Sequence, residues 1–333
     1  MIKNIFKGKK SIQIGITVLF GIMIMVGILM AFRMNVLITA YVEDKVSEQA
    51  MVMAELLKEK FLVEQDKMEQ ISSFLEKDNL SETDIADIVG DMTSYIEDGN
   101  CTVGVIKLDG TVVYGEKVGF SDYTGIRDSF RGNFAISYKD GEGLMFTIPI
   151  YNGKNVKYVL YKLYDQSILS ERFAIDCYEG KGNVLITDTD GQIVVPFDSG
   201  IDDTRLWMES SEWSEVFSNI REKMNIAVSA CSAGKCNGEK SYYFMAEIGQ
   251  TGMYIQGNVD AGVVANGITY LIALVVWVFG LLFILVIVGT VFLFGVEQKA
   301  KESDELRDAK LAAEQASMAK SEFLARMSHE IRT

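Results

Sequence analysis

The chain has 333 residues, with 46 Asp and Glu against 32 Lys and Arg and a net charge of −14. The acidity is concentrated in residues 40–265, which hold 38 Asp and Glu against 20 Lys and Arg, a local net charge of −18. A nucleic-acid-binding face needs the opposite sign, so nucleic acid is excluded as a partner, and an acidic face of this kind serves solubility first.

Reading from the start, Ser11 to Phe32 is a run of 22 residues without a formal charge, longer than the ~20 needed to cross a hydrocarbon core. Lys3, Lys7, Lys9 and Lys10 precede it with no acidic residue among them, which puts the N-terminus in the cytoplasm by the positive-inside rule. The apolar region of a cleaved signal would be shorter and would end at a small-x-small site; this one continues into Phe32-Arg33-Met34-Asn35 and reads as an uncleaved anchor. Residues 1–10 are therefore expected to form a cytoplasmic basic tail and residues 11–38 a transmembrane helix.

From Tyr41 to about Leu75 there is no glycine and no proline, and one long helix is expected to continue out of the span. Val46, Ala50, Met53, Leu57 and Phe61 alternate at three and four residues, a seam for a twin helix or for the chain's own domain. Ser81 is an N-cap candidate for a shorter helix over 82–96. The period then changes to two. Val103–Tyr114, with Asp109-Gly110 at its centre, reads as a β-hairpin, and the design recurs in Val184–Val195 around Asp190-Gly191. Further strands are expected over 143–150 and 156–163, and again over 241–248 and 253–259. Two copies of one arrangement suggest tandem modules, a first over about 76–165 and a second over about 166–266, within an outer domain spanning 39–266.

The four cysteines, Cys101, Cys177, Cys231 and Cys236, all lie in this part. Cys231 and Cys236 flank Ser-Ala-Gly-Lys, read as a short flexible loop, which makes the pair a disulfide candidate with free thiols as the other reading; two thiols without a nearby histidine do not make a metal site, and none is expected. Gly141-Glu-Gly143 and Gly180-Lys-Gly182 lack the Lys-Ser/Thr of a P-loop and read as turns.

Ile268 to Phe294 is a second uncharged run, of 27 residues, giving a transmembrane helix over 267–295 that returns the chain to the cytoplasm. Over 296–319 a coiled-coil linker is expected, its seam formed by Leu306, Ala309, Ala313, Ala316, Lys320, Phe323 and Met327. The stretch 320–333 ends the chain and holds its only histidine, His329. On a helix that turns about 100° per residue, Leu324, Met327 and Ile331 share one stripe and His329 points away from it, with Glu330 beside it and Thr333 one turn on. An exposed imidazole next to a carboxylate that takes its ring proton is a nucleophile, whereas a lone surface histidine with no task is the plain alternative.

Phe323-Leu-Ala-Arg-Met-Ser-His329-Glu-Ile-Arg-Thr333 resembles, nearly position for position, the phosphoacceptor box of the sensor histidine kinases of two-component signalling. The resemblance implies that His329 takes the γ-phosphoryl group of ATP with Mg²⁺, that Glu330 assists the transfer, and that Thr333 helps position water when a response-regulator receiver domain is dephosphorylated. It also implies a homodimer and an ATP-binding domain beyond residue 333, so this stretch alone is expected to be inactive. The outer pattern resembles the double Cache sensor domains, built of two PAS-like modules, and gives the fold class: an α+β membrane protein with two spans, a long helix, tandem antiparallel sheets and a cytoplasmic coiled-coil helix. That likeness implies a small-molecule pocket in the first module, for which the matching segment offers Tyr123, Arg127, Phe130, Tyr138 and Asp165, with Phe130 where the amino-acid-binding variant has tryptophan. A non-catalytic receptor, a chemoreceptor or a cyclic-dinucleotide enzyme sensor, is the alternative for the whole.

Overall fold

The computed structural model describes the backbone of residues 2–331 except 77–79, 97–100 and 120–122; the side chains of residues 1–17, 19–20, 94–96, 266–269, 271, 293, 297, 323, 325–326 and 328–333 also lie outside what it describes. One helix, α1 (Ile2–Leu75), runs from the basic tail through the first apolar run and on for about twelve turns more. After it, α2 (Glu82–Ile96) begins at a capping box: Ser81 Oγ accepts from the Asp84 N–H at 3.2 Å, and Asp84 accepts from the Ser81 N–H at 2.8 Å.

The first module consists of β1 (Cys101–Lys107), β2 (Val112–Tyr114), α3 (Thr124–Phe130), β3 (Ala135–Lys139), β4 (Gly143–Asn152) and β5 (Asn155–Asp165). Its strands pair antiparallel in the order β2-β1-β5-β4-β3. A short helix, α4 (Gln166–Phe173), leads to the second module: β6 (Gly182–Asp188), β7 (Ile193–Val195), α5 (Ile201–Met208), α6 (Ser211–Met224), β8 (Ser229–Cys236), β9 (Glu239–Glu247) and β10 (Met253–Asp260). Its order is β7-β6-β10-β9-β8, the same topology again. The last helix, α7 (Ala261–Ile331), carries the second apolar run, and both α1 and α7 are long and apolar enough to cross a membrane. Residues 1–266 and 267–333 form two units.

The duplication reaches individual hydrogen bonds. In the first hairpin Lys107 N–H donates to Thr111 O and Gly110 N–H to Lys107 O; in the second, Asp188 N–H donates to Gln192 O and Gly191 N–H to Asp188 O. Gly110 and Gly191 take φ of 85° and 81°, a conformation that costs a residue with a Cβ but not glycine. Both hairpins shift register at the same place, between Val105 and Ile106 and between Ile186 and Thr187.

The seam of α1 closes on its own domain. Val46, Ala50, Met53, Leu57 and Phe61 are all buried, the Phe61 ring meeting Phe146 of β4 at 5.5 Å and Phe173 of α4 at 5.4 Å. Nearer the first span, Glu43 accepts from the Ala233 N–H at 3.0 Å, and Ser47 and Ser229 share a hydrogen bond at 3.0 Å, so the same helix also rests on the second sheet. Each large apolar side chain so buried contributes roughly 1.5–3 kcal/mol.

One expectation is corrected. Cys231 and Cys236 do not flank a loop; both lie on β8, paired to β9 from Ser229 to Cys236, and both are free thiols. Five residues of strand separate them by roughly 16 Å and turn them to opposite faces, far beyond disulfide reach.

Candidate functional site

In the first module α3 and α1 cover opposite faces of the sheet. On the α3 face Tyr123, the residue preceding the helix, is 1% exposed and packs with Ile106, Val118, Ile126, Met145, Val159 and Tyr161. Phe130, at the far end of α3, leans on the same cluster. Close approach is possible because a Cβ on Gly125 would sit 2.8 Å from Ser137 Oγ. A polar seam runs beneath the helix: Ser129 Oγ lies 2.8 Å from Thr147 Oγ1, and Thr147 donates to Ala135 O at 3.2 Å. Tyr161 donates to Glu116 O, and burial followed by the nearby Glu116 charge pushes its phenol up to about 12.

The other three residues of the expected ligand set stand elsewhere. Arg127 is on α3 and exposed. Tyr138, half-buried on β3, accepts from Gln166 Nε2 at 3.0 Å. Asp165 ends β5 and caps α4, accepting from the Ser167 N–H at 2.8 Å and the Ser167 hydroxyl at 2.5 Å, bonds that hold its carboxyl below the usual range. Tyr123 and Phe130 are thus brought together, and Tyr138 is tied to the residue beside Asp165. Arg127 stands in solvent.

The α1 face holds a group that sequence reasoning missed. Glu64 of α1, 2% exposed, accepts from Lys162 Nζ of β5 at 2.7 Å and from Arg172 of α4 at 2.8 Å. Burial alone would raise this carboxyl, but the hydrogen bonds from Lys162 and Arg172 outweigh it and hold the group at about 2. The Lys162 ammonium also lies 4.8 Å above the Tyr164 ring. The available signal was a lysine inside the apolar run Tyr158-Val-Leu-Tyr-Lys162-Leu-Tyr164, placed where strand alternation points it inward. Alongside, a groove of about 490 Å³ between α1 and β4 is lined by Glu69, Ser72, Glu76, Phe134, Pro149 and Tyr151.

His329 and Glu330 fall within the backbone of α7, while their side chains and Thr333 lie outside the described residues. Leu324 and Met327 of the expected stripe are exposed, as are Leu306, Ala309, Ala313, Ala316 and Lys320 of the expected seam. Among the described residues no group of three or more His, Cys, Asp or Glu could hold a metal ion.

No protein-family model and no curated protein matches the chain. Among solved structures it is similar to the sensory domain of the Campylobacter jejuni chemoreceptor Tlp3 with isoleucine bound, at 12% identity over 68% of this chain and 98% of that one, TM-score 0.48. It is also similar to the ligand-binding domain of the Pseudomonas aeruginosa amino acid chemoreceptor PctB in complex with L-Arg, at 16% identity over 66% and 95%, TM-score 0.44. A third is the extracellular domain of rpHK1S-Z16, a protein assigned as a histidine kinase, at 11% identity over 66% and 95%, TM-score 0.44.

Proposed function

We propose that the chain is the sensing and phosphoacceptor part of a dimeric membrane histidine kinase. The observation that carries the reading is the His329 box on a single helix, α7, whose backbone runs unbroken from Ala261, after the last strand of the second module, to Ile331. In this reading both termini are cytoplasmic and the two sheets are outside. A small solute binds the first module between α3 and its sheet, walled by Tyr123 and Phe130 and reached by the Arg127 guanidinium, a planar fork suited to a carboxylate. Tyr138 and Asp165 border the site through Gln166 and the α4 cap.

In the cytoplasm, Glu330 takes the ring proton of His329 so that the free nitrogen attacks the γ-phosphorus of ATP, presented with Mg²⁺ by a nucleotide-binding domain, and the bond to the β–γ bridging oxygen breaks with ADP as the leaving group. The phosphoryl group then passes to an aspartate of a receiver domain, and Thr333 positions water for its later removal. Dimerisation is supported by α1, where Tyr41, Val52, Val63 and Phe74 follow one another at eleven residues and stay exposed. An eleven-residue step returns a helical side chain to nearly the same angle, which makes them one stripe for a parallel twin.

The test is to incubate the native protein in its membranes with radiolabelled ATP and Mg²⁺. Acid-labile label is expected on the wild type and none on His329→Gln. If the wild type takes up no label while signalling persists, the helix works as a non-catalytic receptor rod; if His329→Gln leaves both label and signalling intact, His329 is not the acceptor, and either result makes the reading wrong.

A further inference from the structure

The two modules share one strand order and shift register at the same place in their hairpins, so their helix-covered faces can be compared position by position. In the first, Ile106 stands opposite Val159 and Gly104 opposite Tyr161, with Thr102 opposite Leu163 beyond them. In the second the same places pair Thr187 with Tyr254, Leu185 with Gln256 and Asn183 with Asn258. Ile106, Tyr161 and Leu163 are therefore replaced by Thr187, Gln256 and Asn258, and all three replacements are buried. A second module serving only as a packed spacer gains nothing from this, since burying amides costs free energy unless every donor and acceptor is matched.

The matching is incomplete at two atoms. Asn183 donates to Asn258 Oδ1 at 3.2 Å, and Gln256 Nε2 donates to Thr187 Oγ1 at 2.7 Å. Gln256 is 3% exposed, yet its Oε1 has no hydrogen-bond partner among the described residues. Turning the amide over would only transfer the deficit to Nε2. The buried indole Nε1 of Trp207, on α5, is likewise unmatched. Its ring lies 4.4 Å from Trp213 and 5.8 Å from Tyr243, and Tyr243 and Met245 are the β9 residues of the same face, with Met245 directly opposite Gln256. An open acceptor and an open donor thus border one aromatic wall under α5 and α6.

We infer that the second module binds a small uncharged amide or lactam under α5 and α6, its N–H bonded to Gln256 Oε1 and its carbonyl to Trp207 Nε1. One acceptor and one donor call for a molecule offering the converse pair. Neutrality follows because the buried carboxylate and ammonium among the described residues are Glu64 and Lys162, both in the first module and paired with each other, so an ionised guest here would have no counter-charge. This site is separate from that proposed for the first module and needs neither a kinase activity nor a dimer.

The chain has three tryptophans, Trp207, Trp213 and Trp277, so in a Trp277→Phe background only the two at this site emit. The full chain in nanodiscs is titrated with 2-pyrrolidinone, with acetate and ethylammonium as charged controls, and tryptophan emission is followed. The expected result is a saturable change with 2-pyrrolidinone and none with either ion. Trp207→Phe, which keeps the ring stack but drops the donor, and Gln256→Met each weaken binding about tenfold, the loss of one such bond. Should Gln256→Met fail to fold, the Trp207→Phe titration decides alone. Emission that never saturates with 2-pyrrolidinone, or saturates equally in Trp207→Phe, overturns the inference, as does equal binding of acetate.

Discussion

Glu64 of α1 and Lys162 of β5 meet at 2.7 Å with side chains 2% and 0% exposed, which joins the long helix to the centre of the first sheet by a pair of charges removed from water. Removing one partner strands the other in the core. Glu64→Leu or Lys162→Met alone is expected to cost about 3–5 kcal/mol, whereas the two together are expected to recover most of it. Urea unfolding of the four proteins in detergent measures the cycle; a double-variant loss equal to the sum of the two single losses would show that the pair carries no coupling.

Acid should weaken the same contact. The Glu64 carboxyl is held at about 2 in the fold against an ordinary 4.5, so the folded state binds fewer protons than the unfolded chain. The resulting stability is complete above the ordinary value and is lost as pH falls through about 2, on the order of 3 kcal/mol in all. Urea midpoints taken from pH 6 downward should fall more steeply for the wild type than for Glu64→Gln. Parallel curves would assign the acid sensitivity to other carboxylates.

Two turn glycines should respond differently to substitution. Gly143 has φ 131°, and a Cβ there would lie 1.9 Å from Tyr164 O on the neighbouring strand, so Gly143→Ala is expected to cost about 3 kcal/mol or more. Gly153, at φ 65° in the β4–β5 turn, faces open space, and Gly153→Asn should stay within about 1 kcal/mol. Thermal unfolding midpoints of the two variants decide.

The thiols should divide by burial. Desolvation, then the adjacent Asp176 charge, pushes Cys177 up to about 12, and burial likewise raises Cys231, so neither forms thiolate near neutral pH. Iodoacetamide at pH 8 is expected to label the half-buried Cys101 and Cys236 first, and all four after unfolding without reductant. Two cysteines that stay blocked after unfolding would restore the disulfide between Cys231 and Cys236.

If α1 pairs with a twin, Val52→Cys and Val63→Cys should each cross-link in membranes under mild oxidation. Ala50→Cys, at a fully buried position of the helix, should not. The reverse pattern would put the contact elsewhere.

Elements with a strong local cause were legible in the residues. A glycine-free stretch gave the outer part of α1, Ser81 gave the start of α2, and the Asp-Gly pairs at 109–110 and 190–191 gave both hairpins with their neighbours. What was illegible depended on distant partners. β8 reads Ser-Ala-Cys-Ser-Ala-Gly-Lys-Cys, small residues with no β-branched or aromatic member, and becomes a strand because β9 pairs with it along its length. Asp165 offered a free carboxylate in the sequence, but the start of α4 uses it. Lys162 lies within an apolar strand run, and the glutamate that accounts for it lies 98 residues earlier.

Because Glu43 and Ser47 rest on the second sheet while Phe61 and Glu64 rest on the first, the two halves of the domain share a single backing. Neither can be excised or grafted as a self-sufficient cassette: deletion of one would bare a row of α1 side chains to water and leave the survivor with only part of its wall. The repeat is double in topology but shares one helix as its support, and a change in how either sheet grips that helix alters the support of the other.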